Sequence, residues 1–113
     1  MTLLRYLSKE EKIALFEIKE KVLSLVGKRL KGFFLFGSKA RGDYDPESDV
    51  DLAIIVEGLD RELKWKIIDL VVEIETKYIV VVSSLVLSWK DFSNLKEHER
   101  RIALDIESEG ISL

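Results

Sequence analysis

Three short apolar runs restrict the folds open to this chain. They span residues 32–36, 50–56 and 79–87, and each has the length of a buried β-strand. The first is aromatic and apolar on both faces, and the third is rich in β-branched residues, which favour strands. Gly37 and Gly58 follow the first two runs, and glycine is a common strand terminator. The runs therefore predict a sheet of at least three strands.

Segments with helical spacing of apolar residues lie between and around these runs. Ser8 and Glu11 have the spacing of a capping box, in which each residue satisfies a backbone N–H of the other. They predict a helix from about Lys9 to about Lys28, with Gly27 near its end. Its apolar face comprises Leu15, Ile18, Val22, Leu25 and Val26.

Two further helical segments complete the pattern. Asp60 suits an N-cap and predicts a helix that ends at about Lys77, with an apolar face of Leu63, Ile67, Leu70, Val71 and Ile74. A last helical stretch begins at Ser88 or Ser93 and ends before Gly110, with Leu95, Ile102 and Ile106 on its face and Leu104 outside it. The order α-β-loop-β-α-β-α predicts an α+β fold, a small mixed sheet with helices packed on it.

The length and composition limit the number of domains and the kinds of catalytic and metal-binding site that the chain can form. A length of 113 residues predicts one domain, residues 1–113, with no room for a second. The absence of cysteine and the presence of one histidine, His98, exclude thiolate catalysis, cysteine-type zinc sites and histidine clusters within the chain. A metal ion must then be held mainly by carboxylates, which favours Mg²⁺ or Mn²⁺.

Charge and hydropathy indicate the surroundings of the protein. The net charge of −3 argues against direct nucleic-acid binding. No apolar run approaches the ~20 residues of a membrane span, and the N-terminus does not resemble a signal peptide, so we expect a cytoplasmic protein without membrane contact. The lack of glutamine, the single asparagine and the many Lys and Glu residues point to a thermophilic source.

One stretch combines the groups that phosphate chemistry requires. The first apolar run ends at Gly37 and Ser38, where glycine lets phosphates approach the backbone closely and a following helix presents free N–H groups. Lys39 and Arg41 lie close by in sequence. This arrangement predicts a site for a polyphosphate.

Asp49 and Asp51 open the next apolar run. Separated by one residue on a strand, their side chains point to the same face with Cα atoms roughly 6.6 Å apart. Two such carboxylates beside a phosphate-binding turn can hold one or two Mg²⁺ ions. The other acidic residues of the intervening segment, Asp43, Asp45 and Glu47, are interpreted as an acidic surface loop.

Gly37-Ser38, ten residues, and then Asp49-Val50-Asp51 resemble the signature of the polymerase-β-like nucleotidyltransferase superfamily. The fuller strings Phe-Gly-Ser-Lys-Ala-Arg-Gly and Ser-Asp-Val-Asp-Leu look like those of the minimal nucleotidyltransferases, small prokaryotic proteins usually encoded beside a HEPN-domain protein. The resemblance covers nearly the whole chain.

The resemblance implies a role for each matching position. Gly37 and Ser38 would bind the nucleoside triphosphate, Asp49 and Asp51 would coordinate Mg²⁺ and carry catalysis, and Arg41 would lie near the phosphates or form a salt bridge with the acidic loop. It also implies transfer of AMP from ATP to a tyrosine of a HEPN toxin partner, so that the chain would act as antitoxin.

One position departs from the family pattern. The superfamily places a third carboxylate, a metal ligand and possible general base, on the next strand, where this chain has Val81. Ser83 has the same strand parity but is a poor substitute. Glu47 can swing in from the loop, whereas Glu57 lies six residues beyond Asp51, about 20 Å along an extended strand, and is out of reach.

The remaining conspicuous side chains have plainer interpretations. His98 has no histidine or cysteine companion and is expected at the surface or in a hydrogen bond. Trp65 and Trp89 are expected in packing or at an interface, and the pair Arg100 and Arg101 on a solvated helix face.

Three functions remain open at this point. The chain is a metal-dependent nucleotidyltransferase, or a binding-only antitoxin with an eroded site, or a nucleotide sensor that performs no transfer. Val81 keeps the last two open. The small size predicts that a HEPN-domain protein or a second copy of the chain completes the site.

Overall fold

The computed structural model describes residues 7–42 and 49–113, and only the backbone of Ser38 and Glu109 within them. Its elements in chain order are α1 (Lys9–Val26), a 3-10 turn (Gly27–Arg29), β1 (Leu30–Phe36), α2 (Ser38–Arg41), β2 (Val50–Val56), α3 (Arg61–Tyr78), β3 (Val82–Ser88), α4 (Trp89–Glu97), α5 (Arg101–Glu109) and β4 (Ile111–Ser112).

The strands form one mixed sheet in the order β3-β2-β1-β4. β1 pairs antiparallel with β2 and β4, whereas β2 and β3 are parallel. A parallel pair needs a crossover connection, and α3 provides it. The mixed sheet with packed helices confirms the predicted fold class.

Helices cover both faces of β2, which explains its uninterrupted apolar sequence. Val50 and alternate residues after it pack with α1 and α3. Ala53 and Ile55 face the other way and pack with Phe92 of α4 and with α5. Because side chains alternate along a strand, Asp51 lies on the α4–α5 face, at the start of the same row as Ala53 and Ile55.

The predicted helix starts are confirmed. The hydroxyl of Ser8 accepts the Glu11 N–H at 3.0 Å, and the Glu11 carboxylate accepts the Ser8 N–H at 2.8 Å. The Asp60 carboxylate accepts the Leu63 N–H at 2.8 Å at the start of α3. The first helix ends at Val26, two residues earlier than expected, because Gly27 takes a positive φ of 56°.

The last helical stretch differs from the prediction. It is two helices, α4 and α5, separated at Glu99, which has a φ of 52°. Ser88 is the N-cap of α4, which decides between the two predicted starts. Because α5 starts afresh after the break, the helical spacing does not carry across it: Ile106 is buried, but Ile102 is 39% exposed. The two-residue strand β4 was too short to be predicted.

The third strand begins later than predicted. α3 continues to Tyr78, and Ile79 caps it in the left-handed conformation with φ 55° and ψ 52°. β3 therefore starts at Val82, not Ile79. Val81 just precedes it, and its carbonyl accepts the Val50 N–H at 3.0 Å. No helix within residues 7–42 and 49–113 is both long and apolar enough to cross a membrane.

Candidate active site

The turn after β1 lies directly against the second aspartate of the acidic pair. Gly37 has a φ of 76°, which side-chain-bearing residues rarely adopt. A Cβ at this position would lie 2.1 Å from Asp51 Oδ2, well inside van der Waals contact. Glycine is therefore required here both for its backbone conformation and for the space that the carboxylate occupies.

The turn continues into α2, a single turn of helix. The Gly37 carbonyl accepts the N–H groups of Ala40, at 3.1 Å, and Arg41, at 3.0 Å. Ala40 packs against the main core. A helix of four residues has little macrodipole, so any attraction for phosphate here rests on the few backbone N–H groups of the turn and on nearby cations.

The carboxylate pair sits at the end of the sheet where β1 finishes and β2 and β3 begin. Asp51 is in register with Phe36 on one side and Ser83 on the other. Asp49 is exposed and immediately precedes β2. Gly37 and the two aspartates, which lie 12 and 14 positions after it in sequence, are thus neighbours in the structure, as the motif predicted. Their roles in binding stay predictions.

The local charge balance favours a cation. Burial, and secondarily the charge of Asp49, raise the pKa of the Asp51 carboxyl above its ordinary value, and Arg41 partly opposes this. A carboxylate whose ionised form is disfavoured by burial and by a like charge is stabilised by a bound cation. The donor set therefore fits Mg²⁺ or Mn²⁺.

The described residues contain no cluster of three potential metal-ligating side chains. Mg²⁺ commonly takes one or two carboxylates and completes its shell with water and substrate phosphates. The pair is thus suited to a metal that arrives with a nucleotide, and less suited to a metal held by the protein alone. Arg41 is exposed, and its charge acts on Asp51. The acidic-loop residues Asp43, Asp45 and Glu47 lie outside the described residues.

Lys39 lies close to the turn in sequence, but its side chain contacts α1. Lys39 is only 5% exposed, and its ammonium lies 2.7 Å and 2.9 Å from the two carboxylate oxygens of Glu11. Its side chain is thus committed to α1. No sequence pattern indicates this contact, because partners 28 positions apart have no periodic relation.

The position of the missing third carboxylate is also clear. The register places Val82 beside Val50 and Ser83 beside Asp51, so Val81 precedes the first of these pairs by one residue and shares the parity of Ser83. Val81 is 59% exposed, so it is not a core residue. Glu57 lies past the opposite end of β2, where its carboxylate is 3.7 Å from Lys31, as its distance along the strand predicted.

The other residues considered lie outside this site. His98 is exposed, and a ring nitrogen lies 2.8 Å from the Asn94 carbonyl oxygen, as predicted. Arg100 and Arg101 are exposed, also as predicted. Trp65 and Trp89 are 55% and 43% exposed, so they are only partly packed and remain available for an interface.

The sequence matches the family model described as the nucleotidyltransferase domain over residues 15–110. The chain belongs to the nucleotidyltransferase family. Two relatives of this nucleotidyltransferase come from Methanocaldococcus jannaschii. The "Putative protein adenylyltransferase MJ0604" is 43% identical over 79 residues, 67% of this chain and 75% of the relative. The "Putative protein adenylyltransferase MJ0141" is 38% identical over 71 residues, 62% of this chain and 72% of the relative.

Solved structures share the fold of this nucleotidyltransferase. A "putative nucleotidyltransferase from Sulfolobus solfataricus" has a TM-score of 0.51 at 22% identity, covering 94% of this chain and 87% of that one. A chain of a "toxin-antitoxin with AMP-PNP" has a TM-score of 0.54 at 18% identity, covering 85% and 69%. A mutant form of the toxin–antitoxin MntA-HpeT has a TM-score of 0.52 at 20% identity, covering 95% and 72%.

Proposed function

We propose that this nucleotidyltransferase transfers AMP from ATP to a hydroxyl group of a protein, a tyrosine of a HEPN-domain toxin, and thereby acts as an antitoxin. The observation that carries the proposal is the contact between the Gly37 turn and Asp51, which brings the predicted phosphate-binding turn beside the carboxylate pair. The names of the two relatives support protein adenylylation. The toxin–antitoxin structures of similar fold, one with AMP-PNP, support the class of partner and of nucleotide.

The proposed reaction is a displacement at the α-phosphorus of ATP. The acceptor oxygen forms a bond to this phosphorus, the bond to the β-phosphate bridging oxygen breaks, and pyrophosphate leaves. The hydroxyl proton passes to solvent or to a group of the partner. Mg²⁺ bound with the nucleotide would neutralise phosphate charge and orient the α-phosphate.

The residues of the chain divide this work between them. Asp49 and Asp51 hold the metal-bound triphosphate in place, the turn at Gly37 and Ser38 donates backbone N–H groups to it, and Arg41 adds positive charge. Phosphoryl transfer depends mainly on such positioning and on charge stabilisation. Val81, just before β3, and Ser83 in β3 offer no carboxylate to take the proton, so we expect slow turnover.

Val81 favours a second candidate function. A chain without a proton acceptor at this position can neutralise its partner by contact alone, as a binding-only antitoxin. In that case ATP binding and partner binding persist, but label from ATP does not appear on the partner.

The test is transfer of label from α-³²P-ATP to a HEPN-domain protein encoded beside this chain, with Mg²⁺ present; the absence of such a gene would count against the proposed partner. We expect labelled partner with the wild type and none with Asp49→Asn/Asp51→Asn. Asp69→Asn, which alters an exposed carboxylate on α3, serves as the control and should transfer normally. Isothermal calorimetry of ATP with and without Mg²⁺ accompanies it. Equal Mg²⁺-dependent ATP binding by the wild type and the double variant would refute the assigned site.

A further inference from the structure

Lys39 is a charged side chain in an unusual environment. It lies between two residues of the proposed phosphate site, Ser38 and Arg41, yet it is 5% exposed. Its ammonium contacts both carboxylate oxygens of Glu11, and the Glu11 side chain is itself 12% exposed. Lysine is rarely buried without a partner, and removing one partner of a buried ion pair leaves an uncompensated charge. The pair must therefore remain formed for α2 to keep its place.

Glu11 joins two helices through one carboxylate. Its Oε1 accepts the Ser8 N–H at 2.8 Å, which closes the capping box of α1, and the Lys39 ammonium at 2.9 Å. α1 is an 18-residue helix with five buried side chains in the core, so it is a rigid support. The carboxylate thus connects the end of a rigid helix to α2.

α2 cannot hold its own shape. Its four residues are far fewer than an isolated helix needs, because helix nucleation is unfavourable. Two hydrogen bonds to the Gly37 carbonyl close its turn. Lasting order must then come from tertiary contacts, which include those of Ala40, which packs in the core, and of Lys39.

We propose that Glu11 and Lys39 are positioning residues: their buried ion pair holds α2, and with it the backbone N–H groups of the Gly37 turn, in the arrangement that binds nucleotide phosphates. This inference rests on the proposed function, because it assigns the turn to phosphate binding. Lys39 itself does not touch the nucleotide; it acts through the backbone to which it belongs.

The chain offers a matched control for this pair. Glu17, also on α1, lies 2.9 Å from the Lys77 ammonium near the end of α3. This second pair is also a lysine–glutamate pair supported by α1, but it ties α1 to α3 and not to α2. It is more exposed, since the Lys77 side chain is 56% exposed and that of Lys39 is 5% exposed. Its loss should affect the α1–α3 contact and leave the phosphate turn in place.

The experiment compares Lys39→Met, Glu11→Gln, Lys39→Arg and the control Lys77→Met. Glutamine keeps the capping box because its amide oxygen still accepts the Ser8 N–H. Glu11→Gln removes the negative charge facing Lys39 and replaces the oxygen 2.7 Å from its ammonium by an amide NH2, which cannot accept a hydrogen bond. Binding of ATP with Mg²⁺ is measured by calorimetry well below the melting temperature of each variant. Hydrogen exchange of residues 39–42 is measured without nucleotide.

We expect Lys39→Met and Glu11→Gln to weaken ATP binding about tenfold, equivalent to about 1.4 kcal/mol. The KM for ATP in the transfer assay should rise by a similar factor, with a much smaller change in kcat. Protection of the Ala40 and Arg41 amides should fall in both variants. Lys39→Arg should retain most of the affinity, because arginine also pairs with a carboxylate through two hydrogen bonds. Lys77→Met should leave affinity and these amides unchanged.

Three results would overturn the proposal. Unchanged ATP affinity in folded Lys39→Met and Glu11→Gln would show that the pair only stabilises the fold. Loss of affinity in Lys39→Met together with normal or tighter binding in Glu11→Gln would show that Lys39 turns to contact the nucleotide directly. Unchanged exchange of residues 39–42 would show that the pair does not hold α2. A wild type that binds no ATP refutes the proposed function instead, and the exchange data then decide the anchoring of α2 separately.

Discussion

At the residue scale, Gly37 decides whether the site can form. Its backbone occupies a left-handed conformation and touches the carboxylate of Asp51, so two independent constraints meet at one position. Gly27 shares the first constraint but not the second: it has a φ of 56°, and a Cβ placed on it would have no neighbouring atom within 4 Å. Comparing an alanine substitution at each glycine therefore separates the effect of backbone strain from the effect of a steric clash.

Gly37→Ala should abolish Mg²⁺-dependent ATP binding, because the new methyl group displaces Asp51. Gly27→Ala should cost more than the ~1–2 kcal/mol of a non-glycine residue in the left-handed helical conformation, because φ 56° and ψ −127° at Gly27 lie outside that region. ATP binding should be unchanged. Thermal unfolding and calorimetry of both variants provide the comparison. Normal ATP affinity in Gly37→Ala would contradict the assignment of the turn to phosphate binding.

Val81 is the second single residue that we expect to affect the activity of the site, through the rate of transfer. The side chain is exposed beside the acidic pair, so an aspartate there needs no buried charge to be accommodated. Val81→Asp should raise the rate of AMP transfer, since a missing general base typically costs about 10²–10⁴-fold. Val72→Asp, at a 53% exposed valine on α3, controls for added charge. A folded Val81→Asp with no gain in rate would show that another residue accepts the proton.

At the element scale, the junction between α3 and β3 carries strain. Ile79 takes the left-handed conformation, which is rare for a β-branched residue. It is also 92% exposed, so its side chain gains little from packing in the isolated chain. Such a residue raises the free energy of the folded state, and its exposed side chain does not offset this by packing in the core.

Ile79→Gly should therefore stabilise the protein by about 0.5–1 kcal/mol, the relief of backbone strain being partly offset by the greater freedom of glycine in the unfolded chain. The melting temperature should rise by a few degrees, in line with about 4–8 °C per kcal/mol for a small domain. Val72→Gly, in the interior of α3, should lower it. A lower melting temperature for Ile79→Gly would mean that Ile79 makes stabilising contacts.

At the scale of the whole molecule, the acidic pair lies at one end of the sheet. The residues around it that the structure describes leave it accessible to solvent. Asp49, Val81 and Ser83 are all exposed there. On this face of the sheet α4 and α5 pack against later residues of β2, Ala53 and Ile55. Trp65 is near the start of α3 and Trp89 follows β3, so both lie toward the opposite end of the sheet. A partner that closes the site should contact Ile79 rather than the tryptophans.

We expect a stable complex with the proposed HEPN-domain partner by size-exclusion chromatography, with ATP bound at least several-fold more tightly than by the chain alone. Ile79→Ser should weaken this complex, whereas Trp65→Ser should not. A second copy of the chain in place of the HEPN protein would appear as a dimer of the isolated protein. A monomer that ignores its neighbour and transfers AMP efficiently to a small molecule would contradict a partner-completed site.

The sequence by itself determined the helix starts, the strand β2 and the acidic motif, because local rules govern them. The spacing of Ser8 and Glu11 specifies a cap whatever surrounds it, and the alternation along a strand puts Asp49 and Asp51 on one side. The positive φ of Gly37 has a local signal too, since glycine ends an apolar run there.

Only the tertiary structure decided what each charge near the motif contacts. Lys39 follows the turn in sequence, but the direction of its side chain depends on where α1 passes, and that depends on how α1 packs on the sheet. The break between α4 and α5 and the late start of β3 each occur at a residue with a positive φ, Glu99 and Ile79, and neither residue type signals that conformation in the sequence. Contacts between residues far apart in sequence carry no periodicity, and only the packed fold brings them together.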